Sequence, residues 1–428
     1  MGTLTILALA KAVKLLVQTA GGRGVLITGV ACLVALLPHS AQAHARVLTV
    51  DPGPGDQLTH APGAVSISFS EPVTQVGLGI MVTSPSGRRI SRGRAHEVAS
   101  TLSVQIADAG QGTYTVSWRA VARDTHPTSG TYTFDVGHAS AQTASLDSAG
   151  LLTPAGVALV AAAGWLHFLG FAFAFGSLAF GVLVLPNSSD PGGESGDARL
   201  LRLSGAGVGL LLGSVPVALI GQSVSLGGLD QLDLQSLFDV LGSPFGLVLA
   251  LRAGAALMLW SLLGAFRLAG AGVPWALALG GALAGVDAAS AHALRSLPGW
   301  AGWAALPGNA LHEAAMGVWV GGLAALLLTW RGRPWVLRRF GQVALAAVVV
   351  LAVSGVLLAL GSLRGRGDLL ATAYGRVLAL KTVIFAVAVA LAGLGLRGHA
   401  GHAWRLEVTA LAALLGLAGL LTALPPPS

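Results

Sequence analysis

The chain reads as an α+β multidomain membrane protein, a small all-β immunoglobulin-like sandwich followed by an eight-helix transmembrane bundle. Three observations predict this. Of the 428 residues 54% are hydrophobic and only 10% are charged, a balance foreign to soluble globular proteins and typical of multi-spanning membrane proteins. Residues 44–137 alternate apolar and polar positions, whereas the chain from Leu151 onward consists of long apolar stretches broken by polar loops. The first 43 residues carry a basic region, an apolar core and an Ala-x-Ala tripeptide in that order, the layout of a secretory leader.

In the leader, Lys11, Lys14 and Arg23 supply the basic region and Val25–Leu37 the apolar core. That core falls short of the roughly 20 residues a spanning helix needs, and Pro38 interrupts it. Cleavage after Ala43 is therefore expected, with an uncleaved anchor helix as the alternative. Cleavage makes His44 the first residue of the mature chain. It also removes Cys32, the only cysteine, so the exported part must hold together by packing, without disulfides or thiolate ligands.

Residues 44–137 contain the alternating runs Val65-Ile67-Phe69, Leu102-Val104-Ile106, Tyr114-Val116-Trp118 and Tyr132-Phe134-Val136. Asp51-Pro52-Gly53-Pro54-Gly55, Ser84-Pro85-Ser86-Gly87 and Gly110-Gln111-Gly112 punctuate them. Short alternating strands separated by turn residues predict a small antiparallel sandwich. Residues 138–150, rich in Ala and Ser, read as a linker, and 151–428 as the membrane domain. Its helices are expected near 153–185, 199–221, 244–266, 271–289, 308–330, 336–361, 376–397 and 405–424, each long enough to span. The many Gly and Ala residues suit close helix packing in lipid.

Charge placement gives the orientation. The net charge of +7 does not point to nucleic acid, because the stretch from His44 to Gly150 holds seven basic and eight acidic residues. With the sandwich exported, the loops expected on the cytoplasmic side carry Arg199, Arg202, Arg267, Arg331, Arg333, Arg338, Arg339, Arg397 and Arg405. Those expected outside carry only Arg295, Arg364, Arg366 and Arg376. This bias places both ends of the bundle on the outer face, in a multi-pass protein of a bacterial cytoplasmic membrane with its N-terminal domain and C-terminus in the periplasm.

The candidate ligands follow from the leader. An N-terminal histidine offers its amine and an imidazole nitrogen to one ion. Asp124 and His126, two apart, share one face if they lie on a strand, and Pro127 and the Ser129-Gly130 turn hold that face at the domain edge. Alone, Asp124-x-His126 reads as a solvated turn. With His44 it completes a nitrogen-rich, tetragonal set that suits Cu(II). Met81 is the only methionine of the sandwich, a thin basis for a separate Cu(I) site. In the bundle, His292 ends the fourth helix and His312 begins the fifth, so the two imidazoles meet on the outer side. Met316, four residues on, shares the face of His312 and adds a thioether that favours Cu(I). His167 lies deeper, near mid-membrane. Polar residues in lipid are costly and mark functional sites; the alternative is hydrogen bonding between helices, and Met316 alone would be core packing. Arg252 needs a counter-ion, with Asp239 or Asp287 available. Lys381 is expected to snorkel outward.

Two resemblances rest on these residues. His44-Ala45-Arg46-Val47-Leu48, Phe69-Ser70-Glu71-Pro72-Val73, Gly112-Thr113-Tyr114-Thr115-Val116-Ser117-Trp118-Arg119 and Asp124-x-His126-Pro127-x-Ser129-Gly130 resemble the CopC family of periplasmic copper-binding proteins. That resemblance implies Cu(II) binding at His44, Asp124 and His126. The membrane half resembles the CopD family through Ser290-Ala291-His292-Ala293, Leu311-His312-Glu313, Val318-Trp319-Val320-Gly321-Gly322-Leu323, Tyr374-Gly375-Arg376-Val377-Leu378 with Lys381, and Arg405-Leu406-Glu407. It implies movement of copper across or into the cytoplasmic membrane, and it differs from the family where Leu396 precedes Arg397.

The leading reading is therefore a copper-handling membrane protein that captures Cu(II) outside and passes copper inward, with Cu(I) a further candidate in the membrane domain. The expected partners are the lipid bilayer, copper ions and a periplasmic copper chaperone or reductase, with no nucleic acid and no nucleotide. A membrane-tethered copper buffer is the second reading. A copper-dependent oxidative enzyme is the third, and the absence of paired carboxylates, of a Ser/His/Asp arrangement and of an aromatic substrate platform argues for a non-enzyme.

Overall fold

The computed structural model describes residues 45–122, 127–137, 153–185, 193–227, 229, 232–269, 273–290, 300–330, 333–363, 367–396 and 400–424. The leader, His44, Asp124, His126, the 138–150 linker and His292 lie outside the described residues. Two compact units form, one from residues 40–160 with 217–249 and one containing 161–216 and 250–428.

In the first unit, β1 (Val47–Asp51), β2 (Gln57–Leu58), β3 (Ala64–Phe69), β4 (Val73–Thr83), β5 (His96–Val98), β6 (Thr101–Gln105), β7 (Gly112–Ala122) and β8 (Pro127–Val136) follow one another. They build two four-stranded sheets ordered β1-β3-β6-β5 and β2-β8-β7-β4. The alternating runs all point inward: Val65, Ile67, Phe69, Leu102, Val104, Ile106, Tyr114, Val116, Trp118, Tyr132, Phe134 and Val136 form one buried core. Burying each such side chain contributes about 1.5–3 kcal/mol, which suffices without a disulfide. Phe69 meets Trp118 edge-on at 5.2 Å. The Tyr114 hydroxyl accepts from the Ala109 N–H at 3.2 Å and donates to the Gly110 carbonyl at 2.6 Å, fastening the turn before β7. Alternation does not announce β4, because a bulge between Gln75 and Ile80 breaks its register. Gly79, at φ +70°, occupies the left-handed conformation that the bulge requires.

The same unit contains a helix that the sequence pattern left as a loop between two spans. α3 (Leu234–Leu241) starts at a capping box in which Asp233 accepts from the Ser236 N–H at 2.7 Å. Its Val240 is fully buried against Val76 of β4 and Val121 of β7, and Asp239 pairs with Arg94 at 3.0 Å. Val121 lies on the outer face of its sheet, out of phase with core residues Trp118 and Ala120, and α3 is what covers it. Only one face of this helix is so used, since Leu234 and Phe238 are exposed.

The remaining helices are α1 (Pro154–Val184), α2 (Gly193–Gly227), α4 (Pro244–Ala269), α5 (Val273–Ser290), α6 (Trp300–Thr329), α7 (Pro334–Ser362), α8 (Asp368–Ala371), α9 (Ala373–Leu396) and α10 (Ala400–Ala423). Among the described residues, seven helices are long and apolar enough to cross a membrane, and Val273–Ala289 supplies a shorter eighth. These match the expected spans, with two differences of cause. α6 starts at Trp300 and runs through Pro307, and α2 runs through Pro216. Proline ends helices in water, but in a bundle neighbouring groups satisfy the freed carbonyl. Val349, Val353, Val356, Leu357 and Leu360 of α7 are exposed, an apolar face of the kind that lipid covers.

In the second unit α6, like α1 and α2, contributes to both apolar clusters of the bundle. Its closest approach is to α1, where the backbone widens into a π-turn at Ala172–Gly176. There Gly176 faces Gly317, and Gly321 faces the Ala172 carbonyl, so tightly that a methyl group at Gly176 or Gly321 would collide with the opposing backbone, while one at Gly317 would press on the Phe171 ring. Gly321→Val is accordingly expected to cost about 3 kcal/mol or more through overpacking. The check is a lowered melting temperature of the detergent-purified chain. Gly281, on α5, has open space around it, and Gly281→Ala is the control expected to melt normally.

Candidate metal centre

The close contact of α1 with α6 brings ionisable side chains together inside the bundle. His167 of α1, Asp287 of α5 and Glu313 of α6 are 2%, 7% and 8% exposed. One potential ligand atom from each lies within 4.8 Å of the others. His167 Nε2 is 2.7 Å from Asp287 Oδ2 and 3.8 Å from Glu313 Oε1. Arg252 of α4 donates from Nε to Asp287 Oδ1 at 2.6 Å. Of the two counter-ions expected for Arg252, Asp287 is therefore its partner, while Asp239 serves Arg94.

Charges do not enter a low-dielectric interior unpaired, because desolvation costs several kcal/mol for each ion even after relaxation. Arg252 and Asp287 meet that demand for each other. His167 Nδ1 and Glu313 Oε1 are buried and have no hydrogen-bond partner among the described residues. The cluster thus combines the Arg252–Asp287 ion pair with an imidazole and with a Glu313 carboxyl group that is itself hydrogen-bonded to Asp287, each of the last two keeping one atom available for coordination.

His312 and Met316 do not join this cluster. One position apart on a helix is a turn of about 100°, so His312 and Glu313 face different neighbours. His312 Nδ1 lies 2.9 Å from Ser354 Oγ of α7, and that hydroxyl donates to the Val350 carbonyl at 2.5 Å. With the hydroxyl proton directed at Val350, Oγ is placed to accept from a ring protonated on Nδ1, and His312 also meets the Leu351 backbone. Lys381 of α9 acts electrostatically on this ring; half-buried, it extends a positive charge toward His312. Met316 packs against both apolar clusters. His292 is outside the described residues.

Sequence reasoning that weighs nitrogen and sulfur ligands passes over Asp287 as a ligand and Glu313 altogether. The signal was present, since an acid within an apolar helix is rare and faces the bundle interior. What sequence alone could not supply was the glycine contact that sets α6 against α1.

In the sandwich, Asp124 and His126 lie in the segment joining β7 to β8, outside the described residues, as does His44 before Ala45. The strand registers bring their described neighbours to one end of the domain. Val47 pairs with Phe69 at the end of β3, β4 opens four residues later with Val73 against Ala122, and Val121 pairs with Pro127. The Arg46 N–H donates to Ser70 Oγ at 2.9 Å and the Ser70 N–H to the Arg46 carbonyl at 2.8 Å. Together with the burial of Ala45, these bonds anchor the chain one residue after His44 at that same end.

A β-sandwich joined to a multi-pass bundle with an ionisable interior defines a membrane protein of two unlike parts, and the comparisons bear on both. Residues 47–137 match the CopC domain and residues 334–424 match Copper resistance protein D. The chain is 27% identical over 380 residues to "Copper transport protein CutJ" of Bacillus subtilis (strain 168), covering 82% of this chain and 67% of that protein. It is 37% identical over 105 residues to "Protein YobA" of Escherichia coli (strain K12), covering 24% of this chain and 85% of YobA. It is 32% identical over 114 residues to "Copper resistance protein C" of Escherichia coli, covering 24% and 90% respectively. The chain belongs to the CopC family through its sandwich and is a fusion of that domain with a CopD membrane domain.

Removing one partner of the buried ion pair leaves the other uncompensated. Asp287→Ala is expected to cost about 3–5 kcal/mol, and Arg252→Leu combined with Asp287→Leu less than Asp287→Ala alone. Melting of the purified variants in detergent reads both.

Proposed function

We propose that this protein captures Cu(II) outside the cytoplasmic membrane and passes copper inward through its bundle, serving copper homeostasis and resistance. The observation that carries this reading is the joining, in one chain, of a CopC sandwich to a CopD bundle with ionisable groups buried in its interior. The relatives' names, Copper transport protein CutJ and Copper resistance protein C, agree with it. Residues 1–43 are the leader, 44–137 the copper-capturing domain, 138–150 the linker and 151–428 the conducting domain, with both termini of the mature chain in the periplasm. A periplasmic chaperone or reductase hands over the ion. The chain has no enzymatic role.

Capture rests on His44, Asp124 and His126. The support is the meeting of Ala45, Val121 and Pro127 at one end of the sandwich. Entry to the bundle rests on His292 and His312, whose neutral imidazoles replace water around an incoming ion; Met316 and His167 extend the path inward. A His312 ring held at Nδ1 by Ser354 would present Nε2 to an ion, the arrangement a metal-ligating histidine uses.

Two measurements test this. N-terminal sequencing of the mature chain should read His44 first, and His126→Ala in the full-length protein should weaken Cu(II) binding by orders of magnitude through loss of one of a few donors; unchanged affinity would place the capture site elsewhere. His292→Ala with His312→Ala should abolish copper accumulation by cells at matched membrane expression. Normal accumulation would remove these histidines from the path, and no accumulation by the unaltered protein would leave a tethered buffer.

A further inference from the structure

The bundle's best-formed coordination cluster holds hard and borderline donors, one imidazole and two carboxylates, with no sulfur among the three. Such a set suits divalent cations such as Cu(II) or Zn(II), whereas Cu(I) selects thiolate and thioether ligands. Around an ion with bonds of about 2.1 Å, tetrahedral donors stand roughly 3.4 Å apart. The present separations of 2.7 Å and 3.8 Å from His167 Nε2 bracket that spacing, so small side-chain shifts would seat the ion. Two buried polar atoms, His167 Nδ1 and Glu313 Oε1, lack hydrogen-bond partners among the described residues.

Charge completes the argument. Asp287 and Glu313 offer two carboxyl groups to a divalent ion, which takes them as carboxylates. Arg252 already neutralises one of them, through Nε at 2.6 Å. The Arg252 side chain is 22% exposed, against 6% for Asp287, so its guanidinium sits at the rim of the cluster, where it can swing away while the carboxylate stays.

We propose that His167, Asp287 and Glu313 form a divalent-cation transit site within the membrane domain, and that Arg252 is its displaceable counter-cation, occupying Asp287 until an ion takes its place. The proposal rests on the copper-transport reading and adds to it the class of ion that crosses. It assigns Arg252 a role opposite to that of a structural partner: the guanidinium competes with the cargo and helps to discharge it.

The test uses the full-length chain in detergent with His126→Ala, which disables the sandwich site, and the probes Cu(II), Zn(II) and Ag(I), the last a redox-inert stand-in for Cu(I). Bound metal per chain is measured by equilibrium dialysis. One divalent ion per chain should bind, at least tenfold more weakly after Glu313→Gln or His167→Gln, and unchanged after Gly281→Ala, which adds a methyl group in open space. Arg252→Gln should lower the melting temperature of the metal-free protein yet tighten divalent binding about tenfold, and added Zn(II) should restore the melting temperature. A structural ion pair cannot give those opposite signs. No divalent ion bound to the His126→Ala chain, binding indifferent to both Glu313→Gln and His167→Gln, Ag(I) outcompeting the divalent ions, or Arg252→Gln weakening binding would each overturn the proposal. Should one variant fail to fold, the other and the parent stoichiometry still decide. Failure of the transport reading shows separately, as no copper accumulation by the unaltered protein.

Discussion

The pairing of Arg252 with Asp287 is the interaction on which the bundle's interior depends. An isolated carboxylate in that apolar setting would cost several kcal/mol, and a guanidinium from a different helix removes most of that cost. With the pair in place, α4 and α5 are tied at one point. His167 can approach Asp287 from α1, and Glu313 can be tolerated on α6 beside them. The geometry needs a second condition, the glycine seam between α1 and α6, without which His167 and Glu313 would stand a side chain's width further apart. Chemistry and close packing are therefore one constraint seen from two sides.

The sandwich solves a different problem, stability without covalent staples. Its inward alternating positions close a core whose largest fully buried side chains are aromatic, Trp118, Tyr114, Tyr132, Phe69 and Phe134. The strand registers pair β1 with β3 in one sheet and β7 with β4 and β8 in the other. Strand pairing thus brings together positions of the chain that are far apart in sequence.

Much of this was legible in the sequence. The alternating runs name the core residues of β3, β6, β7 and β8 one by one, because a period of two on a half-buried sheet leaves no other choice of face. The spans were legible because lipid imposes length and composition. Three things were not. β4 hides its pattern behind a bulge at Gly79. α3 is too short for periodicity to declare, and its partners Val76 and Val121 come from strands more than 100 positions earlier. Glu313 stands beside His312 in sequence and faces elsewhere in space, a distinction only helix packing can draw. Arg252 shows the same limit, for two acids were within reach of the argument and tertiary structure chose Asp287.

α3 bears on where this protein can be divided. The 138–150 stretch looks like a natural place to cut, leaving a compact sandwich on one side. Yet Val121 and Val76 owe part of their burial to Val240, a residue on the far side of that cut and beyond two membrane spans. An excised sandwich would carry this apolar spot naked to water, together with an Arg94 deprived of Asp239. Freestanding domains of this architecture must finish that surface with polar side chains, whereas here the membrane domain lends the sandwich part of its exterior.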